Sequence, residues 1–273
     1  KKCIKCRICE KECPSMAINI DSYSVARNCI SCGHCVAVCP KQAVMYNNTP
    51  VKKLKANTVS SKDLINLYKH NRSVRFFRDR PVPEKIIKEL MDAVKYYASA
   101  SNRRKTSITV ITDRAKIKQL NDIVSSDLID TMSLLSGPVI NFFAGLFLGK
   151  KRSRLFKGYY YYFTRKKQQN ENFVCFNAPV LFLFHSKASS GSIEAVDSVI
   201  WAANTSNLAA ASGIGSLFVG YITMVINRRK FRKIRTQFGI PSGNRLHAVL
   251  AAGYPSNKFV NEIDRIETEY TIL

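Results

Sequence analysis

The chain has 273 residues, with 43 Lys and Arg against 19 Asp and Glu, which gives a formal net charge of +24. Apolar residues make up 46% of it, enough for a packed core and too many for an intrinsically disordered chain. Eight of the nine cysteines lie within the first 40 residues, which excludes a disulfide framework spread through the fold. The length suits one large or two modest domains, so we expect a small cysteine-rich module followed by an ordinary globular domain.

The eight early cysteines form two copies of one spacing, C-x2-C-x2-C-x3-C-P, which start at Cys3 and Cys29. Every cysteine of the second copy lies 26 positions after its counterpart, so the chain contains an internal duplication. The spacing resembles bacterial two-cluster ferredoxins, in which the fourth cysteine of each run ligates the other cluster. The resemblance implies two [4Fe–4S] clusters, one bound by Cys3, Cys6, Cys9 and Cys39 and the other by Cys13, Cys29, Cys32 and Cys35.

A zinc ribbon is the main alternative for this module, because two of its C-x2-C pairs are separated by a length that fits loosely. Zinc leaves four equally regular cysteines without a role, and the C-x2-C-x2-C triplets disfavour disulfides. We therefore interpret residues 1–55 as a two-cluster ferredoxin domain. His34 is then a loop residue, and Cys175, which stands in an apolar run, is a buried structural side chain.

Residues 46–61 are polar and predict a linker, after which helical and strand patterns alternate. Helices are expected from about residue 61, over 83–97 and over 193–212. Strands are expected at 107–111, 180–184, 216–219 and 246–250. The fold class is therefore predicted to be α+β, with a second domain over residues 62–273.

The segment Asn71–Phe76 (N-R-S-V-R-F) begins a series of four short stretches that resemble the nitroreductase family. It is similar to that family's entry motif R-R-S-x-R/K-x-F, with Asn71 where the family often has arginine. The guanidinium groups of Arg72 and Arg75 and the hydroxyl of Ser73 suit a phosphate monoester, because arginine supplies planar, charged donors. Alternation along an extended segment places Ser73 and Arg75 on the same side.

The second stretch, residues 98–104 (A-S-A-S-N-R-R), is similar to the family's flavin-contacting loop A-P-S-(A/S)-x-N-x-Q. Ser99, Ala100 and Asn102 match that loop, whereas Arg104 replaces the usual glutamine. Small residues let backbone N–H groups approach a flat ring, and the asparagine amide supplies a donor and an acceptor. This loop is therefore expected to contact the flavin.

The third and fourth stretches lie in the last quarter of the chain. Residues 213–221 (G-I-G-S-L-F-V-G-Y) are similar to the family's G-L-G-x-x-x-x-G-F segment beside the flavin. Gly220 is the best match there, and Val219 stands where some members have glutamate. Residues 253–255 (G-Y-P) are followed in the family by a basic residue for the FMN phosphate, and Arg265 is better spaced for that role than Lys258.

The whole chain resembles a ferredoxin–nitroreductase fusion of a type seen in anaerobes. The resemblance implies a homodimer with FMN at the interface and a central mixed sheet flanked by helices. The residues that it implies in FMN binding are Asn71, Arg72, Ser73, Arg75, Ser99, Ala100, Asn102, Val219, Gly220 and Arg265. No catalytic acid or base is assigned, since in this family the reactive atom belongs to the flavin.

A ferredoxin domain joined to a flavin domain combines single-electron carriers with a two-electron reduction site. The fusion predicts a relay of single electrons through both clusters to FMN, and reduction of a nitroaromatic, a quinone or a similar electron-poor substrate. Reductive dehalogenation, flavin conversion and a non-catalytic redox sensor are alternatives. The basic balance suits an acidic donor such as a ferredoxin or flavodoxin, and NAD(P)H is the alternative donor.

Residues 125–172 depart from the family pattern and predict an insertion. Residues 128–149 are apolar but are interrupted by Asp130, Asn141 and a Gly-Pro pair. A helix–turn–helix over the active site or dimer interface is therefore favoured over a membrane span, which needs about 20 apolar residues. The basic residues from 150 onward and Tyr159–Tyr162 make contact with a membrane surface a less favoured alternative.

The run of basic residues at 228–233 is interpreted as a solvated helix face, because no nucleic-acid-binding motif accompanies it. Nucleic acid is therefore not expected among the partners. The N-terminal sequence lacks the apolar segment of a secretory signal, which predicts a cytoplasmic protein.

Overall fold

The structure is a computed structural model that describes residues 2–46, 49, 51–187, 191–263 and 265–273. The side chains of residues 148 and 150–152, where the basic segment of the predicted insertion begins, lie outside the described part. The chain divides into two compact units. The first, which we name the cysteine unit, comprises Lys1–Ser60 and Ala98–Arg104, and the second, the sheet unit, comprises Ser61–Tyr97 and Lys105–Leu273.

The cysteine unit contains four short elements. The helices α1 (Ile8–Lys11) and α2 (His34–Ala37) each begin one residue before the third cysteine of a repeat. Between them, β1 (Ile18–Asn19) pairs antiparallel with β2 (Ser24–Val25). In the described part of the unit, the buried apolar side chains are Cys9, Ala17 and Ile20. Because so small a core does not stabilise a fold by itself, the unit depends on what its cysteines bind.

The sheet unit is built on four strands, β3 (Ser107–Ile111), β4 (Val180–Ser186), β5 (Gly215–Phe218) and β6 (Arg245–Gly253). They pair antiparallel in the order β3-β4-β6-β5. β-branched residues dominate β3, and β4 begins with a run of Val, Leu and Phe, as a pleated and buried surface favours. Every residue of β4 is buried, and its side chains alternate between two cores on opposite faces of the sheet.

Helices cover both faces of this sheet. Leu181 and Leu183 of β4 contribute to one core, and Phe182 and Phe184 contribute to the other. The helices of the unit are α3 (Ser61–His70), α4 (Glu84–Ala93), α5 (Arg114–Ser136), α6 (Pro138–Leu148), α7 (Lys150–Gln168), α8 (Ile193–Ala211) and α9 (Gly220–Ile226). The first core includes side chains of α5 and α9, and the second includes side chains of α4 and α8.

An extended segment that contains Ser73 and Val74 lies along the edge strand β5. Ser73 forms a parallel bridge with Ser216, and the N–H of Val74 donates to the Ser216 carbonyl oxygen at 3.0 Å. A Cβ at Gly215 would lie 2.5 Å from Val74 Cγ2, so glycine is required for this close approach. The expected central sheet flanked by helices is present, but its four strands are all antiparallel, and the parallel Ser73–Ser216 pairing is an isolated bridge beside it.

The element positions predicted from the sequence agree with the structure to within a few residues. The strand expected at 107–111 is β3, and the helix expected over 83–97 is α4 followed by a 3-10 turn at Val94–Tyr96. In the predicted linker, residues 51–60 form no helix or strand, and residues 47, 48 and 50 lie outside the described part.

The predicted insertion contains the end of α5 and all of α6 and α7. Gly137 separates α5 from α6, and Pro138 is the first residue of α6, where a missing backbone N–H costs nothing. Within the described ranges, no single helix is long and apolar enough to cross a membrane. The pair α5 and α6, bent by 76° at their junction, passes that test by length and composition alone.

The late basic run is exposed at Arg229, Lys230, Arg232 and Lys233, as a solvated segment should be, but it is not the expected helix. The segment forms two short 3-10 turns, at Arg229–Phe231 and Ile234–Phe238. Arg228 and Lys230 both form ion pairs with Asp127 of α5, whose side chain is only 2% exposed. Since a buried carboxylate requires charged partners, these two cations have a structural use inside the sheet unit.

Candidate functional site

The eight repeated cysteines surround one cavity of about 520 Å³ in the cysteine unit. All eight are free thiols. Nowhere in the described ranges do three or more His, Cys, Asp or Glu side chains converge closely enough to hold a metal ion. Thiols that ring a shared space fit a polynuclear iron–sulfur cluster better than a zinc ion, which gathers four ligands within about 2.3 Å.

Backbone N–H groups point at four of these sulfurs, and the arrangement recurs in both repeats. Lys5 and Ser31, which donate to the first cysteine of each repeat, both have left-handed backbone, with φ of 55° and 52°. Such donors stabilise a thiolate, which is the metal-binding form. The equivalent pairs are Lys5 N to Cys3 Sγ (3.5 Å) with Ser31 N to Cys29 Sγ (3.4 Å), and Ala17 N to Cys13 Sγ (3.2 Å) with Ala43 N to Cys39 Sγ (3.2 Å).

The fourth cysteine of each repeat ionises more readily than an ordinary thiol. The N–H of Ala17 lowers the pKa of Cys13. Burial raises the pKa of Cys39, but the N–H groups of Ala43 and its neighbours together outweigh it, so that this pKa is lowered. By contrast, burial raises the pKa of the third cysteines, Cys9 and Cys35.

The loop predicted to contact the flavin belongs to the cysteine unit. Asn102 donates from Nδ2 to the carbonyl oxygen of Ser31 at 2.8 Å and to that of Ile30 at 3.3 Å. Within the loop, the N–H of Arg104 donates to Ser99 Oγ at 3.2 Å. Ile30 and Ser31 lie in the second cysteine repeat, so the loop is fastened to a cysteine-bearing turn. These acceptors could not be predicted from the residue pattern, because every residue has a backbone carbonyl group.

Three of the residues implied in FMN binding, Asn71, Arg72 and Arg265, line one pocket of about 510 Å³ in the sheet unit. The Cζ atom of Arg72 lies 6.0 Å from the ring centroid of Phe259, a neighbour that the motif did not reveal. Asn71 is engaged with α8, since its Nδ2 donates to Asn207 Oδ1 at 2.9 Å. Its side chain therefore positions this segment.

The guanidinium groups of this segment are available to an anion. Ser73 and Arg75 are both exposed while Val74 between them is buried, in agreement with the expected alternation. Across the described residues, Arg72, Arg75 and Arg265 form no ion pair with a carboxylate. Arg75 does not line the pocket shared by Arg72 and Arg265. Charged donors without an anionic partner, together with a serine hydroxyl, suit a phosphate group.

Val219 and Gly220 stand where β5 leads into α9. The side chain of Val219 is buried and its N–H donates to the carbonyl oxygen of Val249 at 2.9 Å, so both are used inside the fold. A Cβ built at Gly220 meets no atom within 4 Å, so the backbone there borders open space. Gly213, with φ of 74°, follows the end of α8 in the left-handed conformation that favours glycine.

Comparison with protein families agrees with both units. The model of the "Nitroreductase family" matches residues 68–254, and the model of a "4Fe-4S dicluster domain" matches residues 2–44. The first match covers more than half of the chain, so the chain belongs to the nitroreductase family. It is an oxidoreductase with a fused ferredoxin-type domain.

Several solved structures are similar to this chain at low sequence identity. An FMN-bound nitroreductase from Bacteroides fragilis is 16% identical, with a TM-score of 0.59, and the match covers 77% of this chain and 98% of that one. An FMN-bound nitroreductase from Desulfitobacterium hafniense is 14% identical, with a TM-score of 0.53 and coverage of 75% and 98%. An FMN-dependent nitroreductase from Clostridium difficile is 17% identical, with a TM-score of 0.52 and coverage of 78% and 100%. A search of curated proteins returned no significant match.

Proposed function

We propose that this chain is an iron–sulfur flavoprotein that relays single electrons through two [4Fe–4S] clusters to FMN. Its substrate is a nitroaromatic, a quinone or a similar electron-poor compound. When bound, FMN supplies the conversion between one-electron and two-electron chemistry. The chain's own residues bind and orient the cofactors, and none of them is assigned as a catalytic acid or base.

The arrangement of the cysteines supports two clusters. The thiols of both repeats line the same cavity, and N–H donors recur at equivalent sulfurs 26 positions apart. We assign Cys3, Cys6, Cys9 and Cys39 to one cluster, and Cys13, Cys29, Cys32 and Cys35 to the other. The lowered pKa values of Cys13 and Cys39 suit the residues that each repeat would donate to the other cluster.

The donor set in the sheet unit supports FMN. Arg72 and Arg265 share a pocket, and Ser73 and Arg75 project from the neighbouring extended segment. We assign these side chains to the FMN phosphate, with Gly220 and the loop residues Ser99, Ala100 and Asn102 on the flavin ring. Asn71 contributes by holding the segment, and Val219 contributes through its backbone. The FMN reported in nitroreductases of similar fold agrees with this assignment.

The observation that carries the proposal is the hydrogen bond from Asn102 to Ser31. It fastens the loop assigned to the flavin to the turn between the first two cysteines of the second repeat. A cluster bound by that repeat would therefore lie at a fixed distance from the loop. The cluster of Cys29, Cys32 and Cys35 is accordingly proposed as the last carrier before FMN.

We further propose the domain bounds 1–55 and 62–273, with an insertion at 125–172, and a homodimer. Exposed apolar side chains on α8 support a second copy as partner, because Val196, Val199 and Ile200 are each 38–49% exposed. The net charge of +24 supports an acidic ferredoxin or flavodoxin as electron donor.

The relay is tested with anaerobically purified protein that contains both cofactors. Bleaching of the flavin absorbance is followed after mixing with a reduced ferredoxin, in wild type and in Cys29→Ser. We expect the variant to lose fast bleaching while dithionite still reduces its flavin. Cys175→Ala is the matched control, because this cysteine is buried outside the repeats and its loss leaves the relay intact. Equal bleaching rates in wild type and Cys29→Ser would contradict the relay.

A further inference from the structure

The helix α6 exposes most of its large apolar side chains and buries a polar one. Its outward side chains are the large apolar ones, with Phe142 70% and Phe147 78% exposed. Its buried side carries Asn141, which donates from Nδ2 to the Ser153 carbonyl oxygen at 3.0 Å and accepts from Ser153 Oγ at 2.8 Å. The exposed apolar residues follow helical spacing on one side and are Val139, Ile140, Phe142, Phe143, Leu146 and Phe147. Such a side is unfavourable in water, so it requires an apolar environment.

The length of α6 limits what that environment is. It has 11 residues, and an apolar segment of that length is too short to span a bilayer. The alternatives for such a segment are a buried core helix, a re-entrant segment or an interfacial helix. A re-entrant pair with α5 is excluded, because α5 contributes Leu120, Val124 and Leu128 to the core of the sheet unit. The exposure of its phenylalanines excludes the core of this chain, which leaves the interfacial position.

The next helix, α7, supplies charge of one sign. Arg154, Lys157 and Arg165, with Tyr161 between them, are exposed and spaced so that they share one side of the helix. None of these three cations pairs with a carboxylate in the described residues. From residue 131 to residue 170 the sequence has eight Lys and Arg and no Asp or Glu. An anionic surface is therefore the complementary partner.

We propose that α6 and α7 form a docking surface for an anionic lipid membrane, on which the apolar side of α6 inserts and the basic side of α7 contacts the headgroups. The Asn141–Ser153 hydrogen bonds fix the two helices to each other. A second copy of the chain is disfavoured as the occupant, because a symmetric contact would set the exposed Arg154, Lys157 and Arg165 against the same three cations of the other copy. Nucleic acid is disfavoured because it offers nothing to cover the phenylalanines.

The test is co-sedimentation of the purified full-length protein, with its cofactors, with two kinds of vesicle. One kind is phosphatidylcholine alone, and the other contains phosphatidylglycerol. We expect binding to the second kind only, weakened by salt. Arg154→Gln/Lys157→Gln/Arg165→Gln lowers partitioning about a hundredfold, because each basic residue near an anionic surface contributes about fivefold. The matched control Lys52→Gln/Lys53→Gln/Lys55→Gln, at three exposed lysines outside the surface, leaves partitioning within a few-fold of wild type.

A second variant, Phe142→Ser/Phe143→Ser, tests insertion and should lower binding at least tenfold, whereas Leu54→Ser, at a still more exposed apolar site outside the surface, should not. If neither the basic-residue variant nor the phenylalanine variant partitions less onto the phosphatidylglycerol vesicles than wild type, the proposal is overturned. A loss of oligomers in the phenylalanine variant, with no effect on vesicle binding, would assign the surface to a second copy. The flavin and cluster spectra of the variants remain those of wild type, so failure of this proposal is distinguishable from failure of the proposed function.

Discussion

Asn102 donates from Nδ2 to the carbonyl oxygen of Ser31, 2.8 Å away and 71 positions earlier in the chain. Through this hydrogen bond, a loop that lies between α4 and β3 in the sequence belongs structurally to the cysteine unit. Ser101 and Asn102 have left-handed backbone, which costs free energy unless contacts hold it, and the hydrogen bonds of the Asn102 side chain are among those contacts. We conclude that the cysteine repeat helps to hold the conformation of this loop.

Substituting Asn102 should therefore release the loop. Asn102→Ala removes both carbonyl hydrogen bonds, each of which stabilises the folded loop by about 1 kcal/mol. Amide hydrogen exchange over residues 98–104 should accelerate about tenfold or more, as measured by mass spectrometry of the iron-loaded protein. The control is Asn66→Ala on the exposed surface of α3, which should leave exchange in this loop unchanged. Unchanged exchange in Asn102→Ala would show that other contacts hold the loop.

The small core of the cysteine unit leads to a second prediction. With Cys9, Ala17 and Ile20 as its buried apolar side chains in the described part, the unit lacks the burial needed for independent stability. Removing the iron by oxidation and chelation should unfold residues 2–46 and leave the sheet unit folded. Hydrogen exchange reports on the first, and the fluorescence of Trp201, buried in the sheet unit and the only tryptophan, reports on the second. Protection of residues 2–46 in the iron-free protein would contradict this dependence.

The elements that were predicted well are those with strong local patterns. The β-branched run at 107–111 and the apolar run at 180–184 are strands because their neighbours along the chain already favour that conformation. The cysteine spacing was equally informative, because cluster ligation fixes the loop length. In each case, the residues that carry the signal lie within a few positions of one another in the sequence.

What could not be predicted depends on contacts between distant positions. The ion pair of Arg228 in the basic run could not be predicted, because its buried partner, Asp127, lies 101 positions earlier. For α6, the apolar spacing was visible, but which side is buried depends on Asn141 and Ser153. The hydrogen bond from Asn102 to Ser31 also joins distant positions in the chain, and its acceptor is a backbone carbonyl, which no residue pattern distinguishes.

The assignment of Arg72 to the FMN phosphate predicts selectivity between flavins. Arg72→Gln removes a charged donor, which contributes about 1.5–3 kcal/mol, so FMN affinity should fall about ten- to a hundredfold. Riboflavin has no phosphate, and its affinity should change little. Titrations of the flavin-free protein with each flavin, followed by flavin fluorescence, measure both. Lys88→Gln, at an exposed site on α4, is the control, and an equal loss for both flavins would mean that Arg72 only stabilises the fold.

The stability of the sheet unit should fall in mild acid because of His185. This side chain is 3% exposed on β4, and burial lowers its pKa, to which the neighbouring His247 adds. The folded state therefore favours the neutral ring, while the unfolded state takes up a proton near the ordinary pKa of about 6.5. The stabilisation is complete above that pH and is lost as the pH falls through the lowered folded pKa, because protonation then favours unfolding.

The measurement is the unfolding of the sheet unit by urea, followed by Trp201 fluorescence between about pH 7 and about pH 5. Cluster loss in acid does not affect this probe, since Trp201 is buried among the residues of α8, β4 and β6. We expect the unfolding free energy of wild type to decline across this range and that of His185→Gln to decline less steeply, whatever its starting stability. His70→Gln, at an exposed site on α3, should keep the wild-type slope. Parallel slopes for wild type and His185→Gln would assign the acid sensitivity to other groups, with His247 the first to substitute, because burial lowers its pKa as well.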